Sequence, residues 1–372
     1  MTTARRGFLR NSAAGALAAA WPTLHFAQAP AAPARREFSP QPEGWRTFEL
    51  TTRVDLQAAQ GPARVWLPMP SIDSDYQRSL ESSVTSNGST RFLHDGREGA
   101  RLLYAEFAAG AAQPYVELTS RVQTRSRAVD WSRKVATTES ADTLYFYTRP
   151  TELLPTDGIV RRTALKATRG ARTDVDKARA IYDWVVANTH REPKVRGCGE
   201  GDIKTMLETG NLGGKCADLN ALFVGLCRSV GLPARDVYGI RLAPSAFGYK
   251  ELSGNSASLK GAQHCRAEVH LAGYGWVAMD PADVAKVMRL ETPQWLKTTQ
   301  HDVVAPVNKA LFGGWEGNWM AFNHAHDVRL PQARGGKLGF FMYPVAEHTG
   351  GRYDSYAPDD FRYQITAREI RA

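Results

Sequence analysis

Two stretches of the 372-residue sequence carry side chains that could do covalent chemistry together. The first, Gly213-Gly214-Lys215-Cys216-Ala217-Asp218-Leu219-Asn220, sets a cysteine after a glycine pair and directly before a long apolar run. Read as a helix, positions 216, 219, 220, 223, 227 and 230 share one side, so Cys216 and Cys227 lie on the same mostly apolar stripe. By position alone both read as packing, because free cysteines are usually buried and inert. Cys216 differs in sitting at the first turn, where unpaired backbone N–H groups and the helix dipole favour an anion and lower a thiol's pKa. The two glycines permit close backbone approach at that point.

A thiolate nucleophile needs an imidazole to take and return a proton, and the imidazole needs an acceptor that orients it. The second stretch, QHCRAEVHLAGYGWVAMDPAD from Gln263 to Asp283, supplies both. It reads as a hairpin turning at Ala272-Gly273-Tyr274-Gly275. Cys265, Ala267, Val269 and Leu271 fall on one face of its first strand, and His264, Arg266, Glu268 and His270 on the other. If Val277 and Met279 pair on the apolar face, Asp280 falls near Arg266 and diagonal to His264, with His270 opposite Trp276. His264 is then the better base. A one-residue slip would undo this placement. His270 reads as a strand-surface histidine, Cys265 as packing, and Arg266, Glu268 and Trp276 as shaping the strand and core. Asp218 reads as structural, because a carboxylate aimed at the sulfur would oppose a thiolate.

The elements that must position these groups follow from patterning. Residues 30–44 are rich in proline and alanine and read as a linker, with order beginning near Trp45. From 45 to 160, short alternating runs (TFELTTRVDL, ARVWLPMP, ARLLYAEFA, YVELTSRVQTRS, TLYFYT) with turns such as Ser86-Asn87-Gly88-Ser89 predict an antiparallel β domain. Ala178, Ile181, Tyr182, Val185 and Val186 fall at helical spacing behind Thr173 and Asp176 as a cap. A second helix starts at Cys216 and ends near Gly231 and Pro233. Helix followed by sheet predicts an α+β core over 161–300, with 301–372 as a β extension of that core.

The first 29 residues carry Arg5-Arg6-Gly7-Phe8-Leu9, a short apolar run and Ala27-Gln28-Ala29, which resemble a cleaved twin-arginine export signal; a general secretory signal is the alternative. Either leads out of the cytoplasm, to the periplasm or beyond, and the apolar run is about half of a bilayer span. No membrane insertion is expected after cleavage. Removing the three signal arginines lowers the formal charge from +9 to about +6, spread along the chain with no nucleic-acid signature. Four cysteines, Cys198, Cys216, Cys227 and Cys265, are too few for a disulfide scaffold. Cys198, in a glycine-rich loop, either lines the cleft or bridges to Cys265 after export.

The GGKCADLNALFVGLCRSVGLPARDVYGIR and QHCRAEVHLAGYGWVAMDPAD stretches, in this order and spacing, resemble the transglutaminase-like superfamily, relatives of the papain-type cysteine enzymes. The resemblance covers about 165–290. It implies a papain-like core with the nucleophile opening a central helix packed on an antiparallel sheet, and a triad of Cys216, His264 and Asp280. It also implies an oxyanion donor at the Cys216 N–H, with Asn211 a guess for a second donor and Trp184 read as helix core. The implied activity is on amide bonds of a peptide or protein, with the cell envelope as a candidate source, through an acyl-enzyme and without a cofactor. Hydrolysis is favoured over crosslinking because water needs no second binding site. A non-catalytic peptide- or glycan-binding module on the same fold is the alternative. A rival site is Asn323-His324-Ala325-His326-Asp327, whose paired histidines could chelate a metal.

Overall fold

Arg46–Asp55 alternates as its sequence does, with Phe48, Leu50, Thr52 and Val54 turned inward. The computed structural model that shows this describes residues 37–57, 61–96, 98–136, 139–357 and 360–371. The export signal and the first residues of the expected linker lie outside them. The strand pairs with Tyr115–Thr124 on one side and with Tyr363–Ile370 on the other, and Gln77–Ser86 completes a four-stranded antiparallel sheet. A second sheet runs in the order Gly351–Arg352, Val345–His348, Ala63–Pro68, Arg101–Phe107, Ser89–His94.

These pairings correct the expected domain plan. Val345–His348 and Tyr363–Ile370 complete the sheets built by the first third of the chain, and of the 301–372 segment Trp319–Asn323 joins the core sheet. An uncovered edge strand leaves its N–H and C=O groups open to other chains, and strands from the far end of the sequence pair with them here. The described residues accordingly form one compact unit. Phe38, in the segment read as a linker, is buried with its ring 5.0 Å from Phe247 and 5.5 Å from Tyr249. The run TLYFYT, expected as a strand, lies in a short helix, Ala141–Phe146. Ser140 caps it through the Thr143 N–H at 3.1 Å, and Tyr147 beyond it packs edge-on against Trp276.

The helices behave as patterned. Asp174–Asn188 begins with a reciprocal Thr173–Asp176 capping box and buries the five apolar residues named above. The central helix, Cys216–Ser229, is buried along its whole length and lies against the core sheet. That antiparallel sheet runs Gly275–Met279, Gln263–Leu271, Ala234–Arg241, Trp319–Asn323. The hairpin register pairs Ala267 with Met279, Val269 with Val277 and His270 with Trp276, as the apolar pattern requires. Among the described residues no helix is long and apolar enough to cross a membrane.

Two packed cores meet at the start of the central helix. Phe223, Leu226 and Cys227 belong to the helix-and-sheet core, whereas Cys216, Ala217 and Leu219 belong to a second core shared with the N-terminal strands. Cys216 therefore sits at the seam between the two. The turn leading to it needs glycine. Gly199 has φ +91°, and a Cβ there would lie 1.8 Å from the Asp218 carboxylate. Gly199→Ala should destabilise the protein by about 1–3 kcal/mol, read as a lower urea midpoint at unchanged slope; an unchanged midpoint would contradict it.

Candidate active site

Asp218 secures the first turn of the central helix. Its carboxylate accepts from the Lys215 N–H at 2.8 Å and from the Glu200 and Gly201 N–H groups at 2.9 Å each. Its charge is therefore directed at three amides of the turn, the structural role expected of it. Ala217 N–H donates to the Cys198 carbonyl at 2.9 Å, and Leu219 N–H to Lys215 O at 3.0 Å. The Cys216 N–H, at the first helical position, has no intrahelical acceptor, as an oxyanion donor requires.

His264 is fixed from three directions. Its carbonyl accepts from the Trp319 indole at 3.0 Å, and it lies opposite Gly239, where a Cβ would meet Met320 O at 2.1 Å and the Trp319 ring at 2.4 Å. Its Nε2 lies 2.8 Å from Asp280 Oδ2 and 3.3 Å from Asp283 Oδ2. With Nε2 committed to carboxylates, Nδ1 is the nitrogen left to face the sulfur. Asp280 caps the helix Pro281–Leu290, its Oδ1 accepting from the Asp283 N–H at 3.1 Å.

Five residues that the sequence reading did not assign to the site hold it together. Asn220, one turn beyond Cys216, donates to Cys265 O at 2.8 Å and to Asp280 Oδ1 at 3.2 Å, and accepts from Ala282 N–H at 3.3 Å. One amide thus joins helix, strand and the turn that carries Asp280. Arg241 grips Asp283 with two contacts, 2.6 and 2.8 Å, and donates to Leu252 O. Trp319 is the fourth. Arg266, packed over the rings of Trp315 and Trp319, comes within 3.6 Å of Asp280 Oδ2. A polar residue at i+4 from the cysteine, inside an apolar stripe, was the available signal for Asn220; the Asp-Pro-Ala-Asp spacing was the signal for Asp283.

The electrostatics favour charge separation between Cys216 and His264. Burial raises the Cys216 pKa, but Cys198, Cys265 and His264 lie against the sulfur and together hold it well below the usual thiol range. Burial and Arg241 press His264 towards neutrality, and the Asp283 and Asp280 carboxylates outweigh them, raising it to about 9. Burial opposes ionisation of Asp283, yet the Arg241 guanidinium holds its carboxyl well below the ordinary range. Burial and the neighbouring Asp283 charge push Asp280 up. By contrast, burial alone pushes Cys227 up, the behaviour of packing.

The remaining candidates lie elsewhere. Asn211 is exposed and accepts from the Gly213 N–H, and Trp184 packs partly buried against the helical core. His270 is buried rather than surface-lying, because the Trp276 ring covers it edge-on at 5.5 Å. Glu268 is buried between Arg127 and Arg235. His324, His326 and Asp327 do not converge. His324 bonds to Asp236 O, and burial lowers its pKa to about 3. His326 faces Asp236 and Tyr238, while Asp327 turns to the Glu152 N–H and Lys337. Among the described residues the trio close enough to share a cation is His264, Asp280 and Asp283, all within 4.8 Å. Two guanidiniums already hold that pair of carboxylates, which suits a charged imidazole better than a metal.

The model of the transglutaminase-like superfamily matches residues 161–281, the span from the helix Gly158–Ala167 to the start of the helix that Asp280 caps. The chain belongs to the transglutaminase-like superfamily. An uncharacterized protein of Haemophilus influenzae is 34% identical over 343 residues, 87% of this chain and 91% of that one. Among solved structures, a candidate cysteine protease from Cytophaga hutchinsonii aligns over 88% of this chain and 99% of its own at 14% identity and TM-score 0.49. The periplasmic domain of TgpA from Pseudomonas aeruginosa aligns over 74% and 98% at 13% identity and TM-score 0.35. The α+β architecture expected of a transglutaminase-like fold, a central helix on an antiparallel sheet behind N-terminal strands, is the one this chain has.

Proposed function

We propose that this transglutaminase-like protein is an exported cysteine enzyme that cleaves amide bonds of a peptide or protein substrate. One observation carries the reading: a buried helix that opens on a cysteine is tied by Asn220 to the strand and turn that carry His264 and Asp280, and the histidine's Nε2 is bound by that carboxylate at 2.8 Å. The Cys216 thiolate attacks the carbonyl carbon, and the Cys216 N–H receives the developing oxyanion. His264 delivers its Nδ1 proton to the leaving amine, and the acyl group stays on sulfur. Water then enters, His264 takes its proton, and the acid is released. Asp280 keeps His264 in the tautomer and orientation these transfers need. Hydrolysis is the favoured outcome, since transfer to an amine requires a second binding site. The twin-arginine-type signal supports a periplasmic destination, with cell-envelope peptides within reach.

Incubation with cell-envelope extract followed by mass spectrometry should trap an acyl adduct on Cys216 and so name the substrate. Its consistent absence, with adducts elsewhere, would sink the reading. The pH dependence follows from the two shifts. Cys216 is lowered and His264 raised to about 9, so the thiolate–imidazolium pair is present from the depressed thiol pKa up to about 9. Hydrolysis should therefore persist below the ordinary thiol pKa of about 8.5 and fall above about 9, as His264 loses the proton it must donate. A profile that instead rises through pH 8–9, with the ordinary thiol pKa of about 8.5, would contradict the ion pair.

A further inference from the structure

Three of the four cysteines meet at the seam, although the proposed reaction uses one. Cys198 and Cys265 share one buried cluster with Cys216, and all four cysteines are unbridged. Cys198 is tied to the first turn by its own backbone, through Ala217 N–H to Cys198 O at 2.9 Å. Its Sγ contacts Gln263 O at 3.3 Å and accepts from the Tyr343 hydroxyl at 3.1 Å. Cys265 is engaged differently, its Sγ 3.9 Å from Met342 Sδ. Gly197 and Gly199, on either side of Cys198, have φ +53° and +91°, so the loop around it is built on conformations that favour glycine. Tyr343 also lines a cavity of about 390 Å³ with Gly199, Tyr353 and Tyr356, which brings open space up to the residue that touches Cys198. The cluster thus combines a low-pKa thiolate with a neighbouring thiol on an anchored loop, the arrangement of a redox-modified cysteine and its resolving partner.

We infer that Cys198 is the resolving thiol for Cys216, and that hydroperoxides convert the two into a reversible Cys198–Cys216 disulfide that switches the nucleophile off. The inference rests on Cys216 being the reactive thiolate. In the first step the Cys216 sulfur attacks the peroxide oxygen, the O–O bond breaks, and the alkoxide or hydroxide leaves with a proton from His264. Sulfur is oxidised to the sulfenic acid and the peroxide is reduced. In the second step the Cys198 sulfur attacks Cys216, the S–S bond forms, the S–O bond breaks, and hydroxide leaves as water with the Cys198 proton. A dithiol reductant reverses the bridge by exchange, whereas a sulfinic acid would be permanent.

The test begins with the reduced full chain, in which Cys216 is labelled by iodoacetamide. A second sample is treated with excess hydrogen peroxide, digested without reductant and mapped by mass spectrometry. The expected product is a crosslinked peptide joining Cys198 to Cys216, with labelling of Cys216 restored at least tenfold by dithiothreitol. Cys198→Ser should instead accumulate the sulfinic form and recover no labelling, while Cys265→Ser should still form the crosslink. A Cys216–Cys265 or Cys198–Cys265 crosslink, or equal overoxidation of wild type and Cys198→Ser, would overturn the inference while leaving the nucleophile assignment intact. A Cys216 that does not label in the reduced chain would overturn both.

Discussion

Asp280→Asn should lower kcat/KM for amide hydrolysis by about 10²- to 10⁴-fold while leaving the folded protein nearly as stable as wild type. The two effects separate because Asp280 does two jobs with two oxygens. Oδ1 caps the helix Pro281–Leu290 through the Asp283 N–H, and asparagine is an equally good cap. Oδ2 faces His264, where the neutral amide would no longer hold a positive imidazole or fix its tautomer. Asp283 does not replace it fully, because it stands 3.3 Å from Nε2, while Asp280 makes the 2.8 Å hydrogen bond that fixes the tautomer. The upper limb of the pH profile should move down from about 9 in the variant, since one of the two carboxylates that raise His264 has gone. Asp280→Ala would lose the cap as well, at about 1 kcal/mol. Comparing urea midpoints of the two variants separates cap from catalysis, and a wild-type rate in Asp280→Asn would remove Asp280 from the mechanism.

Arg241→Met should destabilise the protein by about 3–5 kcal/mol, the usual consequence of leaving one member of a buried ion pair unpaired. Arg241 is only 3% exposed, and its guanidinium is shared between both oxygens of buried Asp283 and the Leu252 carbonyl. Removing it strands a carboxylate in the core 3.3 Å from His264. Adding Asp283→Leu should recover most of the loss, because an apolar pair of similar volume avoids the desolvation cost. Urea unfolding of the single and double variants measures the cycle, and a single variant as stable as wild type would contradict the pairing.

The parts of the fold set by local pattern were legible in the sequence. Thr173 and Asp176 announce a capped helix, and the alternation of Ala267, Val269, Val277 and Met279 fixes the hairpin register, since an odd slip would exchange this apolar face for the one carrying Arg266 and Glu268. That register carries Asp280 to His264. What was not legible depends on contacts between distant segments. Nothing in FRYQITAREI says that its edge partner is Arg46–Asp55, some three hundred residues earlier, so the domain plan drawn from contiguous stretches failed. TLYFYT resembles a strand by composition, yet Ser140 caps it into a helix. Arg241 and Trp319 enter the site through neighbouring strands of the core sheet, and their roles appear only once that sheet is assembled. Asn220 shows the intermediate case: its position was visible, but its three partners come from the strand Gln263–Leu271 and the start of the helix Pro281–Leu290.

The central claim, that Cys216 is a histidine-assisted thiolate and Cys227 is packing, is tested most directly by site-resolved mass spectrometry of iodoacetamide labelling at about pH 6, where an ordinary thiol is almost wholly protonated. The predicted result is an adduct on Cys216 in wild type and in Cys227→Ala, no adduct in Cys216→Ala, and hydrolysis that is lost on alkylation and unaffected by chelators. Equal labelling of the Cys216→Ala and Cys227→Ala variants, or activity lost to chelation but not to alkylation, would contradict it.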